Sequence, residues 1–151
     1  MTPLVSTIVE LASRVRPRGT PAIQKIDTFF EELPNSPVEP TWIKEGEPMA
    51  RAVTLATSPD GTMTTGLWEC TAGRFKWTYW VDEVVLILEG AVTVQDAGDG
   101  SILTLRRGDA ALFPFGSTAH WHIERFVRKF FVVRMPAVSS PVARLRRAVG
   151  L

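Results

Sequence analysis

Glu83 heads the apolar run Val84-Val-Leu-Ile-Leu88, which Glu89-Gly90 closes. A carboxylate at the lip of an apolar strand can act as a general acid or base, or can anchor a cation or a polar ligand. His120 and His122 flank Trp121, and a spacing of two sets both imidazoles on one face of a strand, where one ligand could touch both. Solvated histidines on an outward face are the plainer alternative. Trp68, Trp77, Trp80, Trp121 and Tyr79 make an aromatic group suited to a planar or apolar ligand, although such side chains in a small barrel are more often core or dimer contacts. Cys70 has no histidine close in sequence and reads as a buried thiol rather than a nucleophile. Asp109 follows Gly108 in a turn and reads as a partner for turn amides, while Glu69 and Asp82 read as surface carboxylates.

These side chains need strands to carry them. From Arg51 onward the hydrophobic pattern has a period of two. Arg51–Thr57 and Thr62–Cys70 are joined by Ser58-Pro-Asp-Gly61, a hairpin signal. Further short strands are expected at Phe75–Trp80, Val84–Leu88, Ala91–Gln95, Ile102–Leu105, Ala110–Phe113, His120–Glu124 and Val127–Arg134. Their connections are turn-rich: Ala72-Gly73, Glu89-Gly90, Ala97-Gly-Asp-Gly100, Arg107-Gly-Asp109 and Pro114-Phe-Gly116. Many short strands at this spacing predict an all-β sandwich or barrel, with a jelly roll the best fit. Before them, Leu4, Ile8, Leu11 and Val15 predict an amphipathic helix that stops before Pro17. The domain reading is therefore a helical and extended arm at 1–49, a barrel at 50–135 and a basic tail at 136–151. Within the arm, a helical turn is expected around Asp27–Leu33 and an extended piece at Trp42-Ile43-Lys44.

A chain of 151 residues with 45% hydrophobic and 22% charged residues has room for one core. No apolar run reaches the length of a membrane span. One cysteine and no basic, apolar leader lead to the expectation of a cytoplasmic protein. The net charge of +1 gives no global pull towards nucleic acid. From Arg125 onward, however, seven Lys or Arg occur without an acid, and Arg14, Arg16 and Arg18 cluster near the start. A solvated or partner-contacting tail is preferred over a nucleic-acid surface.

Glu83 with six residues to Gly90, and Gly108 with five residues to Pro114-Phe-Gly116, resemble the two motifs of the cupin superfamily. Trp68-Glu-Cys-Thr-Ala-Gly73, Phe75-Lys-Trp77, Asp82-Glu83, Trp121 and Val127-Arg-Lys129 are similar to one cupin branch. That branch includes the ethanolamine-utilisation Q protein and the ureidoglycine aminohydrolase-like cupins. The resemblance covers roughly residues 50–135 and implies a double-stranded β-helix barrel. Cupins usually hold a metal with three histidines and one glutamate. Counting back from Glu83, the two paired histidine positions fall on Lys76 and Thr78, and the third falls on Ala119. Glu83 alone cannot hold a transition metal, which needs three or four converging ligands.

If Lys76 and Thr78 face the barrel interior, Lys76 can stand in for the metal's charge beside Glu83. With the opposite facing, Phe75, Trp77 and Tyr79 line it, and alternation alone does not choose. The expected function is binding of a small polar or anionic molecule in the barrel, without a catalytic metal. In this reading Glu83 is anchor or acid/base, Lys76 its charge partner and His120 a proton carrier at the rim. Trp68, Trp77, Thr78, Tyr79 and Trp121 shape the pocket. Any reaction would be an isomerisation, lyase or hydrolytic step. The alternatives are a non-enzymatic dimeric scaffold or metabolite sensor, and a metal-dependent aminohydrolase or dioxygenase that would draw on a divalent metal. A homodimer is expected from edge strands and from the arm's apolar face at Leu4, Ile8 and Leu11. A barrel filled by aromatic rings favours the scaffold, whereas a hollow one favours a ligand.

Overall fold

A computed structural model describes residues 22–135. The expected helix at 4–15, the cluster at Arg14–Arg18 and the basic tail at 136–151 lie outside the described residues.

Among the described residues the period-two pattern becomes seven antiparallel strands: β1 (Ile43–Glu45), β2 (Ala50–Thr57), β3 (Met63–Thr78), β4 (Asp82–Asp96), β5 (Ile102–Arg106), β6 (Ala110–Phe113) and β7 (Thr118–Arg134). β2 and β3 are joined at the expected Ser-Pro-Asp-Gly turn, where Asp60 Oδ1 accepts from the Ser58 hydroxyl at 2.6 Å and the Thr62 amide at 3.0 Å. The fold is all-β. Pairs of expected short strands are fused into single long ones, because Ala72-Gly73 and Glu89-Gly90 are not turns. The pairing of β3 with β7 shifts register between Thr71 and Gly73, and that of β4 with β7 shifts between Ile87 and Thr93. Such bulges bend a strand without ending it. Gly90 has φ +73°, and a Cβ there would overlap the Phe126 carbonyl, so the bend requires glycine.

The bends fold one sheet into two facing layers. In the first layer, β2, the start of β3, the end of β7, the start of β4, and β6 lie side by side. In the second, β1, the end of β3, the start of β7, the end of β4, and β5 do so. Thus β3, β4 and β7 each cross both layers, as in a jelly roll.

The core lies between the layers. In the first layer Trp68, Cys70, Val85, Ile87, Val127, Phe131 and Val133 face it; Phe75, Trp77, Tyr79, Val92, Val94, Trp121 and Ile123 face it from the second. Along β3 the inward set is even-numbered up to Cys70 and odd-numbered from Phe75. Along β4 it changes from odd to even. Each bulge reverses the alternation, since one extra residue exchanges the two faces.

Residues 22–49 contain no turn of helix at Asp27–Leu33; their one helical piece is a 3-10 turn at Pro40–Trp42. Asn35 bridges Arg51, and the Ser36 amide donates to the Ala50 carbonyl at 2.9 Å, so the segment follows the free edge of β2. Leu33 and Val38 are buried. Among the described residues no helix is long and apolar enough to cross a membrane.

Candidate functional site

Glu83 sits at the second position of β4 and faces inward between Val81 and Val85. Its charge partner is Lys129 of β7. The ammonium donates to Glu83 Oε1 at 2.6 Å, and both side chains are 4% exposed. Lys129 occupies the inward phase of the run Val127-x-Lys129-x-Phe131-x-Val133 and stands beside Trp68 in the β3–β7 pairing. Its nitrogen lies 5.1 Å from the Trp68 ring centroid and 5.0 Å from that of Trp121, which comes from the opposite layer. The cation is thus held by one carboxylate and two indole rings, whose negative faces attract it.

Aromatic rings fill the space around this pair. Trp68 meets Trp121 edge-on at 5.7 Å, and Phe75 and Phe113 stack on Trp121 at 6.0 and 5.7 Å. Tyr79 stacks on Phe113 at 4.7 Å, and its hydroxyl accepts from the Trp121 indole N–H at 3.1 Å. Burial, and then the neighbouring Glu83 charge, push the Tyr79 phenol well above its ordinary pKa, which keeps it a neutral hydroxyl. Trp42, half-buried on the 3-10 turn, packs edge-on against Trp77 at 5.3 Å. The Trp68 indole N–H is buried without an acceptor among the described residues.

The structure chooses between the two facings of residues 75–80. Phe75, Trp77 and Tyr79 point inward; Lys76 is exposed on the outer face and does not reach Glu83, and Thr78 is half-buried with its hydroxyl on Thr118 at 3.1 Å. His120 is likewise exposed on the outer face, opposite Lys76, while its neighbour Trp121 points in. The reason is the odd phase that β3 and β7 keep through these segments. Of the expected site residues, Glu83, Trp68, Trp77, Tyr79 and Trp121 come together inside, and Lys76 and His120 do not join them. Glu69 is buried rather than superficial; its carboxylate takes the Arg128 guanidinium at 2.6 and 2.8 Å, and Arg128 also donates to the Phe30 carbonyl at 3.3 Å. Asp82 pairs with Arg134 at 2.7 Å. The basic stretch after Arg125 is therefore in part barrel: Arg128, Lys129 and Arg134 are strand residues with carboxylate partners. Asp109 accepts from the Arg106 amide at 2.8 Å, as a turn residue does. Burial pushes the Cys70 thiol up to about 12, which leaves it un-ionised.

Two cavities of about 350 and 300 Å³ open on the outer surface; neither is lined by Glu83 or Lys129. The residues present do not fit a cupin metal. The chain has two histidines, both on the outer face, and the inward positions near Glu83 carry Trp77, Tyr79 and Trp121. Glu83 itself is committed to Lys129. Among the described residues no three His, Cys, Asp or Glu converge.

The two-layered β-architecture with this inward set has clear relatives. A family model described as the EutQ-like cupin domain matches residues 57–131. An ethanolamine utilization protein Q (EutQ) from Salmonella typhimurium LT2 is 28% identical over 57% of this chain and 69% of its own, with a TM-score of 0.51. A protein of unknown function of the DUF861 family from Pseudomonas syringae pv. tomato is 27% identical with a TM-score of 0.62, over 68% of this chain and 44% of that one. The EutQ protein of Clostridium difficile, 20% identical over 58% of this chain and 69% of its own with a TM-score of 0.53, shares the fold. No curated protein matches the chain. The chain belongs to the cupin superfamily. Within that superfamily it resembles the EutQ-like branch.

Proposed function

We propose that this chain is a metal-independent cupin that serves as a binding module, with its barrel acting as a rigid core. The observation that supports this most is the barrel interior itself: Trp77, Tyr79 and Trp121 point into it, and Glu83 is already neutralised by Lys129 at 2.6 Å. Rings in mutual contact leave the barrel filled, which favours the scaffold alternative over a hollow chamber. A homodimer is part of this reading. Val84, Leu86 and Leu112 make an exposed apolar strip on the outer face of β4 and β6 that a second copy would cover.

One observation favours a second reading, in which a small polar or anionic molecule binds inside. A buried ion pair stabilises a fold little compared with apolar side chains of the same size, and beside it the Trp68 N–H lacks an acceptor among the described residues. A ligand oxygen accepting from that N–H and from Lys129 would explain both, and would free Glu83 for acid/base work.

Two measurements test these readings. Metal analysis of protein purified without chelator should give substoichiometric traces; near-stoichiometric Mn, Fe, Ni or Zn would overturn both. Titration with a panel of mono- and dicarboxylates, read by tryptophan emission, then separates them. A saturable change that is lost in the E83L/K129M double variant selects the interior ligand. A silent panel selects the filled core.

A further inference from the structure

Outside the barrel, the second layer presents a face on which polar and cationic side chains surround an apolar cavity floor that reaches Phe75 and Trp121. In the strand register Arg74 lies opposite His122, which lies opposite Thr93; one step along, Lys76 lies opposite His120, which lies opposite Gln95. Glu45 of β1 pairs with Arg74, and Lys44, one residue before it, lines the same cavity as Arg74. Lys44, Arg74, His120, His122, Thr93 and Gln95 border the cavity of about 350 Å³, with the exposed Ile102 at one side. That volume is within the range of small-molecule sites.

The charges in this cavity are unbalanced. Arg74 has one carboxylate near it, Glu45 at 3.3 Å, and both side chains are more than half exposed, so the pair is weak. Of the other lining residues, the side chains of Lys44, His120 and His122 have no ion pair or hydrogen bond among the described residues; Lys76 lies beside the cavity, opposite His120, and does not line it. Arg directly across from His, and Lys across from His, are cross-strand pairs with no opposite charge between them. Guanidinium, ammonium and imidazole donors lining one cavity, with a single solvent-exposed carboxylate at its edge, are suited to oxyanions, which Arg binds through two parallel hydrogen bonds.

We infer that this outer cavity is a binding site for a small polyvalent oxyanion, a molecule with two or more phosphate or carboxylate groups. The inference rests on the binding-module reading and supplies its ligand class. Arg74 grips one anionic group, His120 and His122 contact a second across β7, and Lys44 closes the site from β1. Thr93 donates to the same oxygens, Gln95, whose amide nitrogen donates to the Gly100 carbonyl at 3.4 Å, forms one wall, and Ile102 borders the part of the ligand that carries no charge.

The test is calorimetric titration of the full chain with pyrophosphate and, separately, with citrate, at low and at physiological salt. One saturable site per chain is expected, weaker at higher salt. Arg74→Gln and the double variant H120Q/H122Q should each weaken binding about tenfold, the effect of one lost charge-assisted hydrogen bond. Preference for pyrophosphate or citrate identifies which oxyanion the site takes. Arg107→Gln, which removes the same charge from a distant turn, should leave the affinity unchanged, as should E83L/K129M. Absence of saturable binding, or equal weakening by Arg107→Gln, overturns the site. Binding lost only in E83L/K129M would instead place the ligand inside the barrel and overturn both this inference and the filled-core reading.

Discussion

Lys129→Met is the sharpest test of the barrel interior. The change keeps an unbranched side chain of similar length between the indoles of Trp68 and Trp121 but removes the cation that neutralises Glu83. With both side chains of the pair 4% exposed, the carboxylate would be left buried and uncompensated. Breaking a buried pair in this way costs about 3–5 kcal/mol. The methionine thioether recovers about 0.3–1.5 kcal/mol against the rings, which leaves a net loss of about 3 kcal/mol. At a urea slope of about 2 kcal/mol/M the unfolding midpoint should fall by about 1.5 M. The double variant E83L/K129M removes both charges and should equal or exceed the wild type in stability, by up to about 4 kcal/mol. Arg134→Gln, which breaks the exposed pair with Asp82 where the arginine is 75% exposed, should cost less than about 1 kcal/mol and serves as the control. The assay is equilibrium urea unfolding followed by far-UV circular dichroism. If Lys129→Met costs no more than Arg134→Gln, water reaches the pair in solution, and the argument for a filled barrel fails.

Further outcomes follow from other parts of the fold. The Asp60 carboxyl is held at about 2, below its ordinary 3.8, by the Ser58 hydroxyl and then by the Thr62 amide. Its contribution to the β2–β3 turn is therefore complete above pH 3.8 and is lost as pH falls through about 2. Amide exchange at Ser58–Thr62 should show that profile, and Asp60→Asn should abolish it. A methyl at Gly66 would overlap the Val53 carbonyl and the Phe131 ring, so Gly66→Ala should destabilise by about 1–3 kcal/mol in thermal unfolding. An unchanged midpoint would mean that Phe131 does not pack on Gly66. Sedimentation velocity should find a dimer that L86E/L112E converts to monomer, and a monomeric wild type would remove the dimer from the proposal.

The all-β fold was legible because hydrophobic alternation from Arg51 onward and the Ser58–Gly61 turn both point to it. The corners were not, because glycine marks a turn and a bulge alike: Ala72-Gly73 and Glu89-Gly90 read as strand ends, yet the chain continues through them. Glu83 and the aromatic residues were legible by type. Their facing was not, because a period of two carries no absolute phase, and Lys76 was as good a partner for Glu83 as any until the odd phase of β3 was known. The residue missed was Lys129. Its signal was present in Val127-x-Lys129-x-Phe131-x-Val133, where it is the one charged member of an apolar phase. Summing charges along the sequence from Arg125 counted it with a basic tail, when strand phase sets it apart. Arg128, one residue away, belongs to the other face and to Glu69.

The bulges at Thr71–Gly73 and Ile87–Thr93 have a consequence for how this architecture can vary. Because β3 and β4 reset their alternation at the corner, the inside of each layer is specified separately, and the two layers are uncoupled in reading frame. A residue gained or lost within a corner turns one layer inside out while the other keeps its facing. A change of that size at Thr71–Gly73 would carry Arg74 and Lys76 into the barrel and Phe75 and Trp77 onto the surface, without moving Trp68 or Cys70. Residue spacing across these corners is thus a heritable variable in its own right, able to exchange an aromatic interior for a cationic one in a single step.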